Sequence, residues 1–490
     1  MTIAFDNTYA RLPDRFYARV LPTKVREPRI VRVNQALAQS LGIDARELTG
    51  GVAAQILSGN AVPEGADPVA LAYAGHQFGS FVRQLGDGRA ILLGEVVGKD
   101  GKRRDIQLKG AGRTPFSRGG DGRAALGPVL REYILSEAMA ALGVPTTRAL
   151  AAVTTGESVV RDEVQPGAVL TRVAASHIRV GTFEFFAARD DREALAALAS
   201  YSLNRHYPDA ANKGPDGLAL LEGVVNAHAG LVARWLGVGF VHGVMNTDNT
   251  SISGETLDYG PCAFIDEYDP NKKFSSIDRA GRYAFANQPR IAQWNMAKLG
   301  EALLPIIGDD EAVALRLATD RVNRFPALFE AAHARVLRAK LGLHQSQEED
   351  LALASDLFDR LAANSVDYTV FFRRLCLAAA DASGDAAVAS LFSQPEIFSD
   401  WAQSWRRRLT DEDVAPEARA REMRGVNPAF IPRNHRVEEV IEAAVRNGDF
   451  EPFETLVRVL ERPYEDQPEM AHLAAPPSPE ERVSHTFCGT

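Results

Sequence analysis

The sequence predicts an α+β chain in which a β-rich segment with one long helix precedes a mostly helical remainder. Three observations lead there. Between Arg89 and about Arg179, short β-type runs are broken by glycines. After about residue 190, apolar residues recur at helical spacing. Between the helical runs lies an irregular stretch rich in Gly, Asn and Asp, from about Gly237 to Gly281, long for a connection in a compact domain.

Residues 1–75 hold a short helical pattern, VNQALAQSLGI, then loop-rich sequence with Gly50, Gly51, Pro63 and Pro68, and read as a wrapping segment without assigned chemistry. Residues 76–190 follow as the β-rich unit. AILLGEVV, the turn GKDGKR and DIQLKG form a hairpin; AALGPVLREYILSEAMAALG is a helix; ALAAVTTG and AVLTRVAAS are further strands. Residues 191–340 are mostly helical: Leu195, Leu198, Ala199 and Leu203 share one helix face, and Leu221, Val224, Val225, His228, Leu231, Val232 and Trp235 another. Residues 341–490 form a helical extension with a polar, Pro-rich tail after Pro463.

A chain of 490 residues, 46% hydrophobic and 24% charged, is long enough for more than one core. The net charge of -9 gives no global attraction to nucleic acid or to an anionic membrane, and neither is expected as a partner. Cys262, Cys376 and Cys488 are too few and too scattered for a disulfide framework or a zinc site. The first residues, MTIAFDNTYARLPDRFYARVL, do not read as a signal peptide, and no run of about 18 apolar residues occurs, so the expected compartment is the cytoplasm.

Chemistry concentrates in four places. The first is a glycine turn at Gly86 and Gly88 followed by two strands, the second ending in Lys109; glycines admit phosphate close to backbone and a strand lysine neutralises it. An exposed lysine on an ordinary hairpin is the competing reading. Glu132 then stands on the helix after the lysine strand, the order of the lysine–glutamate pair of protein kinases. The third and most specific is HGVMNTDNTSISGETLDYGP. Here His242 and Asn249 keep the outer spacing of the kinase catalytic loop, Val244 occupies its aspartate position, and Asp258-Tyr259-Gly260 stands where kinases have D-F-G. An amide oxygen and a carboxylate from two loops suit a hard cation that also binds phosphate, so Asn249 and Asp258 are the expected metal ligands. Asp248 is positioned to replace the missing base, against the alternative of a turn-capping aspartate. Fourth, Arg118, Asp121, Gly122 and Arg123 in GAGRTPFSRGGDGRA, with Arg172 and Arg179, suggest forks of N–H donors around a polyanion rather than scattered surface charge. His76 and His177 stand among apolar residues and glycines and are expected to pack or hydrogen-bond, not to catalyse.

These residues lie in longer stretches, YAGHQFG, LGDGRA, DIQLKGAGRTPFSRGGDGRAALGPVLREYILSEAM, SHIRVGTFE, GFVHGVMNTDNTSISGETLDYGP, QPRIAQWNMAKL and NPAFIPRNHRVEEVIEAA, which together resemble the selenoprotein O family of protein adenylyltransferases over nearly the whole chain. The resemblance implies a protein-kinase-like bilobal fold, a β-rich lobe with one key helix and a mostly α lobe. It further implies an inverted nucleotide whose AMP passes to Ser, Thr or Tyr hydroxyls of protein substrates, from ATP with UTP as the variant, with Mg²⁺ or Mn²⁺. The family's nucleotide contacts correspond to Gly86, Gly88, Arg89, Lys109, Asp121, Gly122, Arg172, Arg179 and Asp258, its proton acceptor to Asp248, the lysine's partner to Glu132, and its metal ligands to Asn249 and Asp258. Cys488 matches the family's C-terminal selenocysteine or cysteine; the stretch NKKFSSIDRAGRY, where some bacterial members carry its partner, has no cysteine here, and a pairing with Cys262 instead is a hypothesis. A γ-phosphoryl-transferring kinase and a catalytically silent nucleotide-binding scaffold remain the rival expectations, and a monomer is the default.

Overall fold

The computed structural model describes residues 3–486. Its centre is an eight-stranded sheet, antiparallel at every pairing. The strand order is Tyr17–Arg19, Val69–Leu71, Ala90–Val97, Arg103–Lys109, Val164–Ala174, Arg148–Val160 and Arg29–Val33; the short Ala124–Ala125 also pairs with Val164–Ala174. The expected hairpin forms, AILLGEVV against DIQLK, and the two further expected strands pair with each other, ALAAVTT against AVLTRVA.

Alternation along the lysine strand decides which face does what. Asp105, Gln107 and Lys109 fall on one face, and Arg172 joins them from the neighbouring strand because it is in register with Gln107. Ile106 and Leu108 fall on the other face, where Ile91, Leu93, Val169 and Val173 complete an apolar layer. Helices Gln35–Ser40 and Gly50–Leu57 cover that layer through Leu37, Ala53 and Leu57. Residues 1–75 therefore contribute three strands to the sheet and the lid over its apolar side.

Helix Leu126–Ala141, which carries Glu132, is buried on nearly all sides. Leu130 and Ile134 meet the sheet at Ala149, Ala152 and Leu170, while Tyr133 meets Phe453 of helix Glu451–Leu460 at 5.5 Å between ring centroids. Helix Asn434–Asn447 packs beside it through Val437 and Val440.

The helical half is built on Asp216–Val238 and Gln288–Ile307, whose apolar faces share one core. The first of these ends at Gly239, whose left-handed φ of 77° supplies the turn out of the helix. The chain then runs through Phe240–Val241, which pairs with Ala263–Phe264, so the segment between them is a loop closed at its base by two short strands. Helix Glu311–Val322 joins that core, and helices from Phe325 to Arg424 form a second one around Trp401 and Trp405. Among the described residues no helix is long and apolar enough to cross a membrane.

Candidate functional site

Lys109, at the end of its strand, reaches two carboxylates at once. Its Nζ lies 2.5 Å from Glu132 Oε2 and 2.9 Å from Asp258 Oδ1. Arg172 Nε donates to Glu132 Oε1 at 2.7 Å, and its Nη2 lies 3.6 Å from Asp258 Oδ1. Two strands, a helix and a loop thus bring two cations to two carboxylates in a buried setting. Burial alone raises the pKa of both acids, but Arg172 and Lys109 hold Glu132 below the usual carboxylate range, and Lys109, Arg172, Arg89 and Arg179 hold Asp258 well below it.

Asp258 itself has a left-handed φ of 70°, uncommon outside glycine. The residue before it is anchored: the buried His242 ring donates from Nε2 to the Leu257 carbonyl at 3.0 Å, while Nδ1 accepts from Val244 N–H at 3.4 Å. Burial lowers the pKa of His242, and the neutral ring makes both bonds.

Asp248 and Asn249 form a short 3₁₀ turn in the same loop. Asn249 Nδ2 donates to the Val244 carbonyl at 3.2 Å, leaving its amide oxygen as an acceptor. Asn249 and Asp258 supply hard oxygen donors. No group of three or more His, Cys, Asp or Glu that could hold a metal occurs among the described residues.

Asp248 is overlain by a hairpin, Gly75–Gln77 against Ser80–Val82. Gln77 Nε2 donates to Asp248 Oδ2 at 3.2 Å; Asp248 Oδ1 is buried without a partner. A Cβ on Gly75 would lie 2.7 Å from that oxygen, so glycine is required where the hairpin crosses the carboxylate. Burial pushes the Asp248 pKa up to about 6, although Arg179 opposes it. His76 pairs with Glu184, which also accepts from Thr247 Oγ1, and this fixes the hairpin to helix Val180–Ala187.

The glycine turn is linked to the same loop by Arg179. Its Nη1 donates to the Asp248 carbonyl at 2.7 Å, its Nη2 lies 3.6 Å from Asp87 Oδ1, and its guanidinium stacks 4.4 Å from the Tyr73 ring centroid. Asp87, between Gly86 and Gly88, also accepts from Gln107 Nε2 at 3.2 Å. The segment 110–123 folds over this turn: Thr114 Oγ1 donates to the Asp87 carbonyl, and a Cβ on Gly86 would lie 2.4 Å from the Phe116 ring. Gly88 is confined in the same way by the Phe116 carbonyl, and Gly122 by the Gly112 backbone. Arg89 uses its carbonyl to accept from Gly110 N–H at 2.7 Å. Asp121 stands apart from the ion cluster: it pairs with Arg161 at 2.9 Å and its side chain is 44% exposed.

Residues 1–461 match the family described as protein adenylyltransferase SelO. The chain belongs to the SelO family. It is 62% identical over 493 residues to the protein nucleotidyltransferase YdiU of Methylorubrum populi and 61% identical over 486 residues to that of a Bradyrhizobium species, with 99% of each chain covered in both. SelO membership makes it an enzyme that transfers a nucleotide onto proteins.

In this SelO chain, the ion cluster unites Lys109, Glu132, Arg172 and Asp258, and Arg179 joins the Asp248 loop to the glycine turn. Sequence reasoning passed over Gly75, Gln77, Asp87 and Glu184. The available signal was polar residues flanked by glycine, as in YAGHQFG and LGDGRA. His177, set aside as structural, is fully buried with Nδ1 3.0 Å from Asp105 Oδ2. The Cys262 thiol is buried, which pushes its pKa up to about 12; its suggested partner Cys488 lies outside the described residues.

Proposed function

We propose that the chain transfers AMP from ATP to Ser, Thr or Tyr hydroxyls of protein substrates, through attack of the hydroxyl oxygen on the α-phosphorus and loss of pyrophosphate. The observation that carries this reading is the Lys109 ammonium shared between Glu132 and Asp258 beside the Asp248–Asn249 turn. Lys109, steadied by Glu132, binds the outer phosphates; Arg172, Arg179 and Arg89 add donors; Gly86, Gly88 and Gly122 let backbone approach, with Asp121 on the rim. Asn249 and Asp258 would hold Mg²⁺ or Mn²⁺, whose charge offsets that of the phosphates. Asp248 accepts the proton of the attacking hydroxyl through its carboxylate. Catalysis is then mainly positioning and charge neutralisation.

This reading takes the fold as kinase-like and bilobal. Residues 76–190 form the β-rich lobe, 191–340 the helical lobe, 341–490 the extension and 1–75 the wrapping segment, in a cytoplasmic monomer. Val244 at the usual aspartate position weighs against γ-phosphoryl transfer. The test is incubation with Mg²⁺ or Mn²⁺ and ATP labelled at the α or the γ phosphate, with labelled UTP in parallel. Label on protein from the α position alone is expected; label from γ would mean a kinase, and none from either would mean a scaffold.

A further inference from the structure

Beside the hairpin that covers Asp248 stands a cation with no place in the proposed mechanism. Arg282 lies in the loop that leads into helix Gln288–Ile307. Its backbone is pinned: the N–H groups of Arg282 and Tyr283 donate to the two Asp278 oxygens at 2.9 and 2.8 Å, which occupies that carboxylate. The guanidinium is seated on aromatic rings, 4.7 Å from the Trp294 centroid and 5.7 Å from that of Tyr283. Its Nε is buried without a hydrogen-bond partner, and no carboxylate of the described residues forms an ion pair with it. Lys298, which also faces the Trp294 ring, is already paired with Glu301.

The hairpin connects this cation to the proposed base. Just before its turn, Gln77 donates to Asp248; at the turn itself, a Cβ on Gly79 would lie 3.7 Å from Arg282 Cζ. Phe78, at the same tip, holds a φ of 52°, a strained setting for a bulky residue. That setting is fixed because Phe78 N–H and Tyr283 O–H both donate to Asn246 Oδ1, at 3.0 and 2.7 Å. A planar guanidinium fixed on an aromatic face, partly exposed and without a counter-ion, matches a carboxylate and loses little freedom in binding one.

We propose that Arg282, seated on Trp294, recognises an acidic residue flanking the acceptor hydroxyl of the protein substrate. This specificity role rests on the reading that the acceptor is a protein hydroxyl modified beside Asp248. The test uses an unstructured polypeptide whose Ser, Thr and Tyr are each flanked by Glu, and its counterpart with Gln, both offered with α-labelled ATP. The wild type is expected to modify the Glu polypeptide with a kcat/KM about 10-fold or more above the Gln one, the range of a charge-assisted hydrogen bond. Arg282→Gln should lose that preference while its rate on the Gln polypeptide stays within about twofold, and Arg282→Glu should turn the preference toward a Lys-flanked polypeptide, which an unfolded variant cannot do. Equal handling of Glu and Gln by the wild type, or a preference that survives Arg282→Gln, overturns the proposal. Asp248→Asn run alongside separates the two ideas: if it labels as fast as wild type with the Glu preference intact, the base assignment fails and the role of Arg282 stands.

Discussion

Lys109 is one ammonium facing two carboxylates, and Arg172 alone cannot balance both. Lys109→Met is expected to cost about 3–5 kcal/mol of folding stability, the usual result of removing one partner from a buried pair, and to remove nucleotide transfer. Denaturant unfolding and α-label incorporation check the two halves. Gly75→Ala acts differently, because the added methyl would displace the Asp248 carboxylate without touching the ion cluster. Turnover should fall about 10²-fold, as for a 1 Å misplacement of a reacting group, while thermal stabilisation by ATP and metal persists. Histidine 206 gives a pH signature. Burial, with Arg205 adding to it, lowers its pKa to about 3, and Nε2 lies 2.9 Å from Ser176 Oγ. Below an unfolded value of about 6.5 the unfolded chain binds the extra proton. This group's stability contribution is therefore complete above pH 6.5 and declines as pH falls toward 3. Against His206→Asn, wild type should lose about 1.4 kcal/mol more between pH 7.5 and 5.5, measured by denaturant midpoints. Lys109, Glu132 and Asp258 were legible because they keep the kinase order of strand lysine, helix glutamate and loop aspartate. Gln77 was not, since its partner lies 171 residues away and no local pattern encodes that meeting.

Among the elements, the helix Leu126–Ala141 shows what pattern reading gains and loses. Its existence follows from apolar spacing, but its burial on both sides does not, since the covering surface comes from helices Asn434–Asn447 and Glu451–Leu460. Those helices hold Glu132 in place: Arg131 pairs with Glu438 at 2.8 Å and donates to the Cys262 carbonyl at 2.8 Å, tying helix, extension and the loop after Asp258 together. Phe453→Ala, which removes the ring against Tyr133, should cost about 3–5 kcal/mol and slow transfer by loosening the Glu132–Lys109 pair. Unfolding curves and kcat for the same variant test this; a destabilised variant with unchanged kcat would separate the two effects. The strands were easier to read, because Asp105, Gln107 and Lys109 alternate with Ile106 and Leu108, and one polar face against one apolar face is what period two encodes. The strands at Tyr17–Arg19 and Arg29–Val33 escaped because they are short, with three and four ladder partners at the sheet edges, too brief for alternation to register.

At the scale of the molecule, buried charges fasten distant parts of the chain. Arg205 of helix Arg192–His206 pairs with Asp105 at 2.6 Å and Glu95 at 3.2 Å on the sheet, and Arg433 pairs with Asp266 at 2.7 Å and Asp367 at 2.6 Å. Composition announced a chain with several cores; it could not announce these ties, because each joins residues whose separation exceeds any window over which periodicity has meaning. The reach is greatest where Arg32, on an edge strand, meets Glu454 of helix Glu451–Leu460 and Glu461 at its C-terminal end. The cover over the Glu132 helix is thus encoded some 300 residues after it. At about 5–20 residues per second, a ribosome needs roughly 15–60 s to make that stretch, and for all of that time the nascent chain holds Lys109 and Glu132 without the helices that set their spacing. Synthesis order therefore delays completion of the site: the strand and helix that carry Lys109 and Glu132 emerge well before the helices that cover them.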